Sequence, residues 1–402
     1  MINKINKEMK IIDLSSGYVV LGSGLNAIAT IYGILDNKKN INKKIYVLDA
    51  GISSNENMLN LSNQVIMPSP KFKIKNNKYI YQDFNKALGI KSKEFHAVGS
   101  LAKGGLSNIW GAGIHPYNNK ELTKFPYSLD EVKGIYSKIY NILTGIESDV
   151  VDEINDEYKK FRFFKPMLAI NKHQNYHSTC KLASCDDGCI SCNKNVFNSA
   201  YEIDKLIELK KIEYIPNLLI NKIFEENKKN YIECKNLKTN KKMLIMADAI
   251  FSSLGSISSA KTLSKVANNH CKTDLLSTPG GSFFIFSYKK FHKLSHKILC
   301  SKSFSYQSSE LNFEGNIFPF SKNLLINFFG NYLGGLASSI FGYLIFKRIF
   351  VVNVYFDSGL SSSEILFKKN NAYITTKFKS ELTDAFKNAL SVIKNKFAKK
   401  GL

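Results

Sequence analysis

Several features are missing from this sequence of 402 residues, and each absence excludes a class of protein. Residues 1–10 are polar and charged and contain no apolar run, so we expect no secretory signal peptide and a cytoplasmic location. The seven Cys are an odd number, which in that compartment favours reduced thiols over a disulfide framework. No internal repeat or long low-complexity linker is visible. With 44% hydrophobic residues, the chain is long enough for a large core and two connected domains.

The net charge of +23 is not arranged as in nucleic-acid-binding proteins. The Lys residues are spread through loops and helix faces, with no Arg-rich helix and no interleaving of basic and aromatic residues. We therefore expect no nucleic-acid partner. Compositional bias accounts for the charge, and attraction to an anionic membrane or a polyanionic substrate is the alternative.

The chain is organised around an apolar run and a glycine turn near the N-terminus. The apolar residues 18–21 precede the pattern Gly22-x-Gly24-x-x-Ala27, and small and apolar residues follow to Leu35. A second apolar run, 45–48, is followed by Asp49. This is the order of a dinucleotide-binding βαβ unit, in which the glycines admit a pyrophosphate at a helix N-terminus and the acid accepts hydrogen bonds from a ribose. The alternative is a doubly wound sheet whose turn binds nothing.

A second informative stretch covers residues 99–113, which include five glycines and two alanines. Such a composition is typical of backbone that lies close to a flat group, because a Cβ would fill the space. Ser107 and Asn108 add polar groups, and Trp110 is the only Trp of the chain. The segment predicts a wall against a cofactor ring or, alternatively, a glycine-rich turn in a tightly packed core.

Residues 104–111, Gly-Gly-Leu-Ser-Asn-Ile-Trp-Gly, resemble the GGxSxxW(G) segment of the glucose-methanol-choline (GMC) oxidoreductases. The similarity is greatest to the branch that contains pyranose oxidase and FAD-dependent oxidoreductases encoded among cell-surface polysaccharide genes. Residues 120–132 and 47–51 are also similar to segments of that family. A plain NAD-dependent dehydrogenase is disfavoured, because residues 104–113 would have no task there.

The resemblance implies FAD as the cofactor, bound noncovalently, because Ile109 stands where some members carry a FAD-tethering His before the Trp. Carried over to this sequence, it implies Gly22, Gly24 and Ala27 at the pyrophosphate, Asp49 at the adenosine ribose, and Gly105, Ser107 and Asn108 near the isoalloxazine. Residues 217–223 resemble the strand that meets the adenine, at Ile220, and residues 232 and 243–247 suggest the β-meander that accompanies it. Residues 249–260 resemble a strand that turns at Gly255 into a helix near the pyrophosphate.

Four cysteines lie close together, at Cys180, Cys185, Cys189 and Cys192. They could bind Zn²⁺ or an iron-sulfur cluster, and His173 and His177 lie just upstream. The spacing is not that of ferredoxins or zinc ribbons, and the related oxidoreductases have a Cys- and Gly-rich loop here. We therefore assign no metal site and expect a loop that needs no metal; a metal-cluster electron-transfer flavoprotein is the alternative.

No charged residue occurs from Leu324 to Phe346, a length that could cross a bilayer. Two Asn, four Gly and two Ser lower its hydrophobicity. We expect a hydrophobic helix or helix pair that covers the substrate entrance or dips into a membrane, with a buried core helix and a transmembrane helix as alternatives. A lipid-linked substrate and a location at the inner face of the membrane would fit this segment and the positive charge.

In the relatives, catalysis depends on a His near the C-terminus, which removes the hydroxyl proton while hydride passes to the flavin. None of the seven His of this chain has a matching context, and we expect His96, His115, His292 and His296 to be structural or exposed. Residues 382–399 resemble the helix that precedes the catalytic segment. No catalytic residue is assigned, and a truncated or split flavoprotein, completed by a second polypeptide, is an alternative to an independent enzyme.

These patterns predict an α/β protein with a Rossmann-like, three-layer FAD-binding domain and a second, mixed-sheet (α+β) substrate domain. The predicted FAD-binding domain covers residues 1–275, with the Gly-rich 99–113 and Cys-rich 180–192 excursions. Residues 276–380 form the predicted substrate domain and contain the hydrophobic segment 324–346, and residues 381–402 form a C-terminal helix. The predicted function is FAD-dependent oxidation of an alcohol carbon in a small-molecule or lipid-linked sugar, for polysaccharide biosynthesis.

Overall fold

The structure is a computed structural model. It describes most of the chain, in separate ranges. The described residues are 10–37, 42–52, 84–92, 97–108, 110, 112–115, 126–144, 161–164, 166–170, 196–264, 270–287, 302–308, 310–319, 340, 348–368 and 371–398. The Cys-rich loop 180–192 and, apart from Ile340, the apolar segment 324–346 lie outside them.

Helices and strands alternate in the first part of the chain, and strands dominate the later part. The helices are α1 (Leu25–Asp36), α2 (Phe84–Ala87), α3 (Leu129–Thr144), α4 (Ser199–Glu208), α5 (Ser256–Ser264) and α6 (Glu381–Ala398), with 3-10 turns at Gly105–Asn108 and Ser358–Leu360. The strands are β1 (Lys10–Asp13), β2 (Gly17–Leu21), β3 (Lys44–Leu48), β4 (Ile90–Lys91), β5 (Phe161–Phe164), β6 (Glu213–Ile215), β7 (Leu218–Glu226), β8 (Lys229–Asn236), β9 (Lys242–Ala247), β10 (Ala249–Ser252), β11 (His270–Leu275), β12 (Gly280–Phe286), β13 (Lys302–Gln307), β14 (Asn312–Pro319), β15 (Ile349–Phe356), β16 (Ser363–Lys368) and β17 (Asn371–Thr375).

A parallel sheet with the order β10-β2-β3-β6 carries the glycine turn. β2 pairs with β3 from Gly17↔Lys44 to Leu21↔Leu48, and α1 joins the two strands. Val19, Val20 and Leu21 are fully buried, as expected for a strand covered on both faces. The predicted strand, turn, helix and second strand are therefore present, within a residue or two of the predicted ends.

A second sheet, with the order β1-β9-β8-β7, packs against one face of the parallel sheet. β7, β8 and β9 form an antiparallel meander, and β1 pairs with β9 in parallel. Val19, Leu21 and Leu48 of the parallel sheet share a hydrophobic cluster with Ile220 and Ile232 of the meander. The predicted meander is therefore present. A further sheet has the order β11-β16-β17-β4.

The remaining sheet, with the order β12-β15-β14-β13-β5, is antiparallel throughout. Its apolar face packs against α6 through an aromatic cluster that includes Phe304, Phe313, Phe356 and Phe397. The rings of Phe163 and Phe397 stack with their centroids 5.4 Å apart. Residues 381–398 thus form the predicted C-terminal helix and are buried against a sheet on one side.

The chain divides into two compact units. The first consists of Met1–Ile109, Asn198–Asp274 and Glu364–Thr375, and the second of Trp110–Phe197, Leu275–Ser363 and Thr376–Leu402. The protein is thus of mixed α/β class with several sheets. The three-layer arrangement and the domain bounds 1–275, 276–380 and 381–402 stay predictions.

Within the described ranges, the structure has no helix that is both long enough and apolar enough to cross a membrane. In the same ranges, no three His, Cys, Asp or Glu side chains are grouped so that they could hold a metal ion. Cys234 and Cys271, which are described, are free thiols. The hypotheses about the Cys-rich loop and the apolar segment concern residues outside these ranges.

Candidate functional site

A cavity of about 290 Å³ lies within the first unit, at the carboxyl ends of β2 and β10. Its walls are formed by residues 22–26, 49–50, 98–102, 105–107, 218–220 and 253–258, together with Phe84 and Leu88. Segments far apart in the chain therefore meet in one place. Open α/β sheets bind ligands at this edge, beyond the carboxyl ends of their parallel strands.

Gly22 turns the chain from β2 toward α1. Its φ of +95° lies in a region that residues with a Cβ rarely adopt, and a Cβ there would lie 2.6 Å from the carbonyl oxygen of Ser253. Its N–H donates to the carbonyl oxygen of Leu48, 2.8 Å away, which ties the turn to the end of β3. Both the conformation and the space therefore require glycine.

Gly24 is the N-cap of α1 and supplies no side chain to cap the first turn of the helix. The first turn contains no acidic residue, and a Cβ on Gly24 would meet no atom of the described chain within 4 Å. The helix thus presents backbone N–H groups and the positive end of its dipole to the cavity, where an anion is stabilised.

Asp49 follows β3 and lies at the edge of the cavity with 7% of its surface exposed. Its carboxylate accepts hydrogen bonds from the hydroxyls of Ser23, at 2.5 Å, and Tyr214, at 3.0 Å, and from the backbone N–H groups of Ala50 and Gly51. Burial raises the pKa of Asp49 to about 6, although these four bonds act to lower it. The protein's own donors therefore match the roughly four acceptor positions of a carboxylate.

The same burial and the nearby Asp49 charge raise the pKa of Tyr214 well above its ordinary value, so that its hydroxyl stays protonated and donates. The ammonium group of Lys103 lies over the Tyr214 ring, 5.0 Å from its centroid, and pairs with Asp204. Ser23 also accepts a hydrogen bond from the N–H of Gly104 at 2.8 Å. Asp49 is thus connected through Ser23 and Tyr214 to residues 103 and 104 of the glycine-rich segment.

The glycine-rich segment crosses the cavity next to the glycine turn. Gly104 and Gly105 have φ values of +83° and +58°. A Cβ on Gly104 would lie 2.6 Å from the backbone nitrogen of Ala200 in α4, so this glycine permits the segment to approach the helix. Gly105 faces the cavity instead and begins the 3-10 turn Gly105–Asn108.

Ser107 and Asn108 hold this 3-10 turn to the start of α4. The Ser107 hydroxyl donates to the carbonyl of Gly104 at 2.6 Å and accepts from the N–H of Ser199 at 2.9 Å. The Asn108 amide donates to the carbonyls of Lys103 and Gly105, and its oxygen accepts from the Asn198 side chain at 3.0 Å. Both side chains therefore have local partners, and a contact of either one with a flavin stays a prediction.

The turn after β10 adds a second helix start to the cavity. Gly255 has a φ of +84°, and a Cβ there would meet no atom within 4 Å. The first residues of α5, including Ser256 and Ser258, line the cavity together with Ser253. The N-termini of α1 and α5 and a set of hydroxyls thus surround the same space.

Most of the predicted site residues meet in this cavity. Seven of the nine line it, namely Gly22, Gly24, Asp49, Gly105, Ser107, Ile220 and Gly255. Ala27 is fully buried in α1, and Asn108 is the buried last residue of the 3-10 turn; neither lines the cavity. That any of the nine residues binds a cofactor stays a prediction.

Sequence reasoning missed Ser23, Tyr214 and Ser253, which also help to form the site. Ser23 stands between the two glycines of the turn, a position at which the motif specifies no residue type. Tyr214 lies far from Asp49 in sequence, and no spacing rule connects the two residues. Trp110, predicted as part of a cofactor wall, donates from its indole N–H to the carbonyl of Phe197 at 2.9 Å in the second unit.

The chemistry of the lining is that of a binding site. Among the described residues that line the cavity, Asp49 is the one acidic side chain, and none is His, Cys, Lys or Arg. His115 is exposed in the second unit, where its ring packs edge-on against Phe164 and its Nε2 lies 3.3 Å from the Ser303 hydroxyl. The cavity can therefore bind an anion with backbone N–H groups and hydroxyls, without a basic side chain.

No protein-family model matches the sequence, and no curated protein matches it. Among solved structures, the substrate-free rebeccamycin biosynthetic enzyme RebC aligns with 91% of this chain at 8% identity and a TM-score of 0.30. A fungal aryl-alcohol oxidase aligns with 70% of it at 10% identity and a TM-score of 0.36, and a tetracycline destructase with 87% at 10% identity and a TM-score of 0.28. The aligned parts make up 54%, 56% and 57% of those three chains, respectively. At TM-scores this low, the overlap carries no argument about fold or function.

Proposed function

We propose that the cavity binds the adenosine diphosphate part of FAD, noncovalently, and that the chain is a flavin-dependent oxidoreductase. The observation that supports this function best is the meeting of the glycine turn, the start of α1, Asp49, Ile220 and the glycine-rich segment in one cavity. These are the segments for which the sequence resemblance implies FAD.

The residues of the cavity fit a diphosphate. Gly24 and Gly255 precede the two helix N-termini, and a Cβ at either position would point into open space. A diphosphate can thus approach the backbone N–H groups of both helices, and the dipoles of the two helices favour its charge. Ser253, Ser256 and Ser258 offer hydroxyl donors at the same wall.

Asp49 fits a ribose less simply, because Ser23, Tyr214, Ala50 and Gly51 already donate to its carboxylate. A ribose hydroxyl would share or replace one of these donors. The apolar side chains of Leu218 and Ile220 line the neighbouring wall and suit the flat face of an adenine.

When bound, FAD would accept a hydride from the substrate. We propose an alcohol carbon of a sugar or a lipid-linked sugar as the hydride donor. The resemblance of residues 104–111 to enzymes of cell-surface polysaccharide synthesis supports this class. The net charge of +23 suits an anionic or membrane-associated substrate, and we include peripheral membrane contact in the proposal.

A second candidate is a protein that binds FAD without independent catalysis. It is favoured by the part of the lining that the structure describes, where Asp49 is the one acidic side chain and no His occurs that could remove a hydroxyl proton. In that case a second polypeptide would supply the proton acceptor.

The test is the visible absorption spectrum of the purified full chain before and after acid precipitation. We expect flavin bands that move into the supernatant, because the proposed binding of the cofactor is noncovalent. A colourless protein that FAD does not reconstitute would overturn the proposal. Reduction of the bound flavin by an alcohol substrate, measured without oxygen, separates the enzyme from the protein that only binds FAD.

A further inference from the structure

Ser23 is buried, with 2% of its surface exposed, and it contacts two parts of the cavity that are distant in sequence. Its hydroxyl donates to the Asp49 carboxylate at 2.5 Å and accepts from the N–H of Gly104 at 2.8 Å. The glycine turn, the end of β3 and the glycine-rich segment are therefore joined at one hydroxyl group.

The segment that Ser23 anchors also lies close to the glycine turn at Gly24. A Cβ built on Gly105 would lie 3.5 Å from the Cα of Gly24. The width of the cavity between residues 24 and 105 therefore depends on what fixes Gly104. On the side of the glycine turn, Ser23 fixes Gly104. Its hydroxyl donates one hydrogen bond and accepts another at the same time.

We propose that Ser23 is a positioning residue, which through Asp49 and Gly104 sets the spacing between the glycine turn and the glycine-rich segment that FAD binding needs. This inference rests on the proposed function for the identity of the ligand. The spacing itself is a property of the protein without ligand and can be tested separately.

The arrangement depends on the ionised form of Asp49. As a carboxylate it accepts from Ser23, Tyr214 and two backbone N–H groups, whereas a protonated carboxyl must itself donate. At least one of the four donors then loses its acceptor. Lys103, over the Tyr214 ring, and Asp204, paired with Lys103, are the other charged groups of the described chain around this cluster.

The direction of the pH effect follows from this geometry. The binding-competent form has Asp49 ionised, so FAD affinity is full at pH values well above 6 and falls as the pH drops through about 6. The hydrogen bond from Ser23 lowers the pKa of Asp49. Removing it by Ser23→Ala shifts the midpoint of the affinity curve to higher pH, which a purely structural role would not do.

The experiment compares Ser23→Ala with Ser252→Ala, and Tyr214→Phe with Tyr46→Phe. Ser252 donates to Ser259, and Tyr46 lies near Ser16, so both controls remove a hydroxyl that has a local partner outside the Asp49 cluster. Hydrogen exchange of peptides covering residues 97–108 is measured on the protein without FAD. FAD affinity is measured by fluorescence titration from pH 5 to pH 8.

For Ser23→Ala we expect at least tenfold faster exchange in residues 97–108, at least tenfold weaker FAD binding at pH 8, and a midpoint at higher pH than in the wild type. Tyr214→Phe shifts the midpoint in the same direction. Exchange, affinity and midpoint equal to those of Ser252→Ala would overturn the inference. A wild-type protein that binds no FAD at pH 8 overturns the proposed function instead, and the exchange comparison still decides the role of Ser23.

Discussion

Gly105 lies against Gly24, so that a Cβ on the former would come within 3.5 Å of the Cα of the latter. The two glycines belong to segments that are about eighty residues apart, and both line the same cavity. A Cβ on Gly24 itself would meet no atom of the described residues within 4 Å. The packing of these residues therefore does not require glycine at position 24, and under the proposed function the diphosphate does.

Gly24→Ala should therefore weaken FAD binding with only a small loss of stability. The φ of −76° is accessible to alanine, but alanine is a poorer N-cap than glycine, so we expect the free energy of unfolding to fall by no more than about 1 kcal/mol. The new methyl group would occupy the path of the diphosphate, and we expect at least a tenfold rise in the FAD dissociation constant. Fluorescence titration and urea denaturation measure the two quantities.

Gly33→Ala is the matched control, because its Cβ also meets no atom within 4 Å but lies on the exposed side of α1. We expect unchanged FAD affinity and up to about 1 kcal/mol of added stability from helix propensity. Equal affinities of the Gly24→Ala and Gly33→Ala proteins would argue against a ligand at the start of α1.

Gly22 and Gly255 both have a positive φ, but only at Gly22 would a Cβ collide with the described backbone. Alanine substitutions at the two positions therefore separate the cost of backbone strain from the cost of a steric clash. The new Cβ of Gly255→Ala would have no described atom within 4 Å, but the backbone has a φ of +84°. We therefore expect the free energy of unfolding to fall by about 1–2 kcal/mol from the backbone conformation alone. Gly22→Ala has a similar φ, but its Cβ would lie 2.6 Å from the carbonyl of Ser253, and we expect at least about 1 kcal/mol more. Urea denaturation of both variants measures the difference. Equal losses of stability would show that the backbone at Ser253 moves away from residue 22 without cost.

The parts of the fold that sequence predicts well are those with local signals. The apolar run at 18–21, the glycine turn and the second run at 45–48 form the expected strand, turn and strand, because periodicity and glycine spacing act over few residues. Asp49 also follows β3 as predicted. The four donors around it could not be predicted, since Tyr214 reaches it from a strand 165 residues away.

The partners of Ser107 and Asn108 could not be predicted from the sequence. A polar pair in a glycine-rich segment predicts contact with a ligand, yet the structure places hydrogen-bond partners for both in the backbone of the segment and at the start of α4. Buried polar groups must be satisfied, and a distant helix N-terminus can do so as well as a cofactor. The choice between the two depends on contacts that sequence spacing does not contain.

The aromatic cluster of the second unit leads to a prediction about stability. Phe397 of α6 is 2% exposed and packs against Phe163 and Phe304, so Phe397→Ala should lower the free energy of unfolding by about 3–5 kcal/mol. Phe378→Ala is the control, because that side chain is 59% exposed and should cost less than about 0.5 kcal/mol. Urea denaturation followed by circular dichroism measures both. A small loss at Phe397 would mean that α6 does not contribute its apolar side to this core.

The buried Asp49 makes stability depend on pH in a direction opposite to that of an ordinary ion-paired carboxylate. Its pKa is raised from 3.8 to about 6 in the folded protein, so the folded state binds a proton there more tightly than the unfolded state does. The associated stabilisation is full below about pH 4 and is lost as the pH rises through 6. A shift of about two units corresponds to about 3 kcal/mol.

Asp49→Asn removes this titration, so the stability of the wild type relative to the variant should fall by up to about 3 kcal/mol between pH 4 and pH 7 and stay level above it. Urea denaturation of both proteins across this range gives the difference at each pH, and contributions from other groups cancel in it. The asparagine amide cannot accept all four hydrogen bonds, which lowers stability by a constant amount and leaves the slope unaffected. A difference that is level from pH 4 to pH 7, or one that rises with pH, would mean that the Asp49 carboxyl does not have a raised pKa. Its four donors would then outweigh the cost of burying the charge.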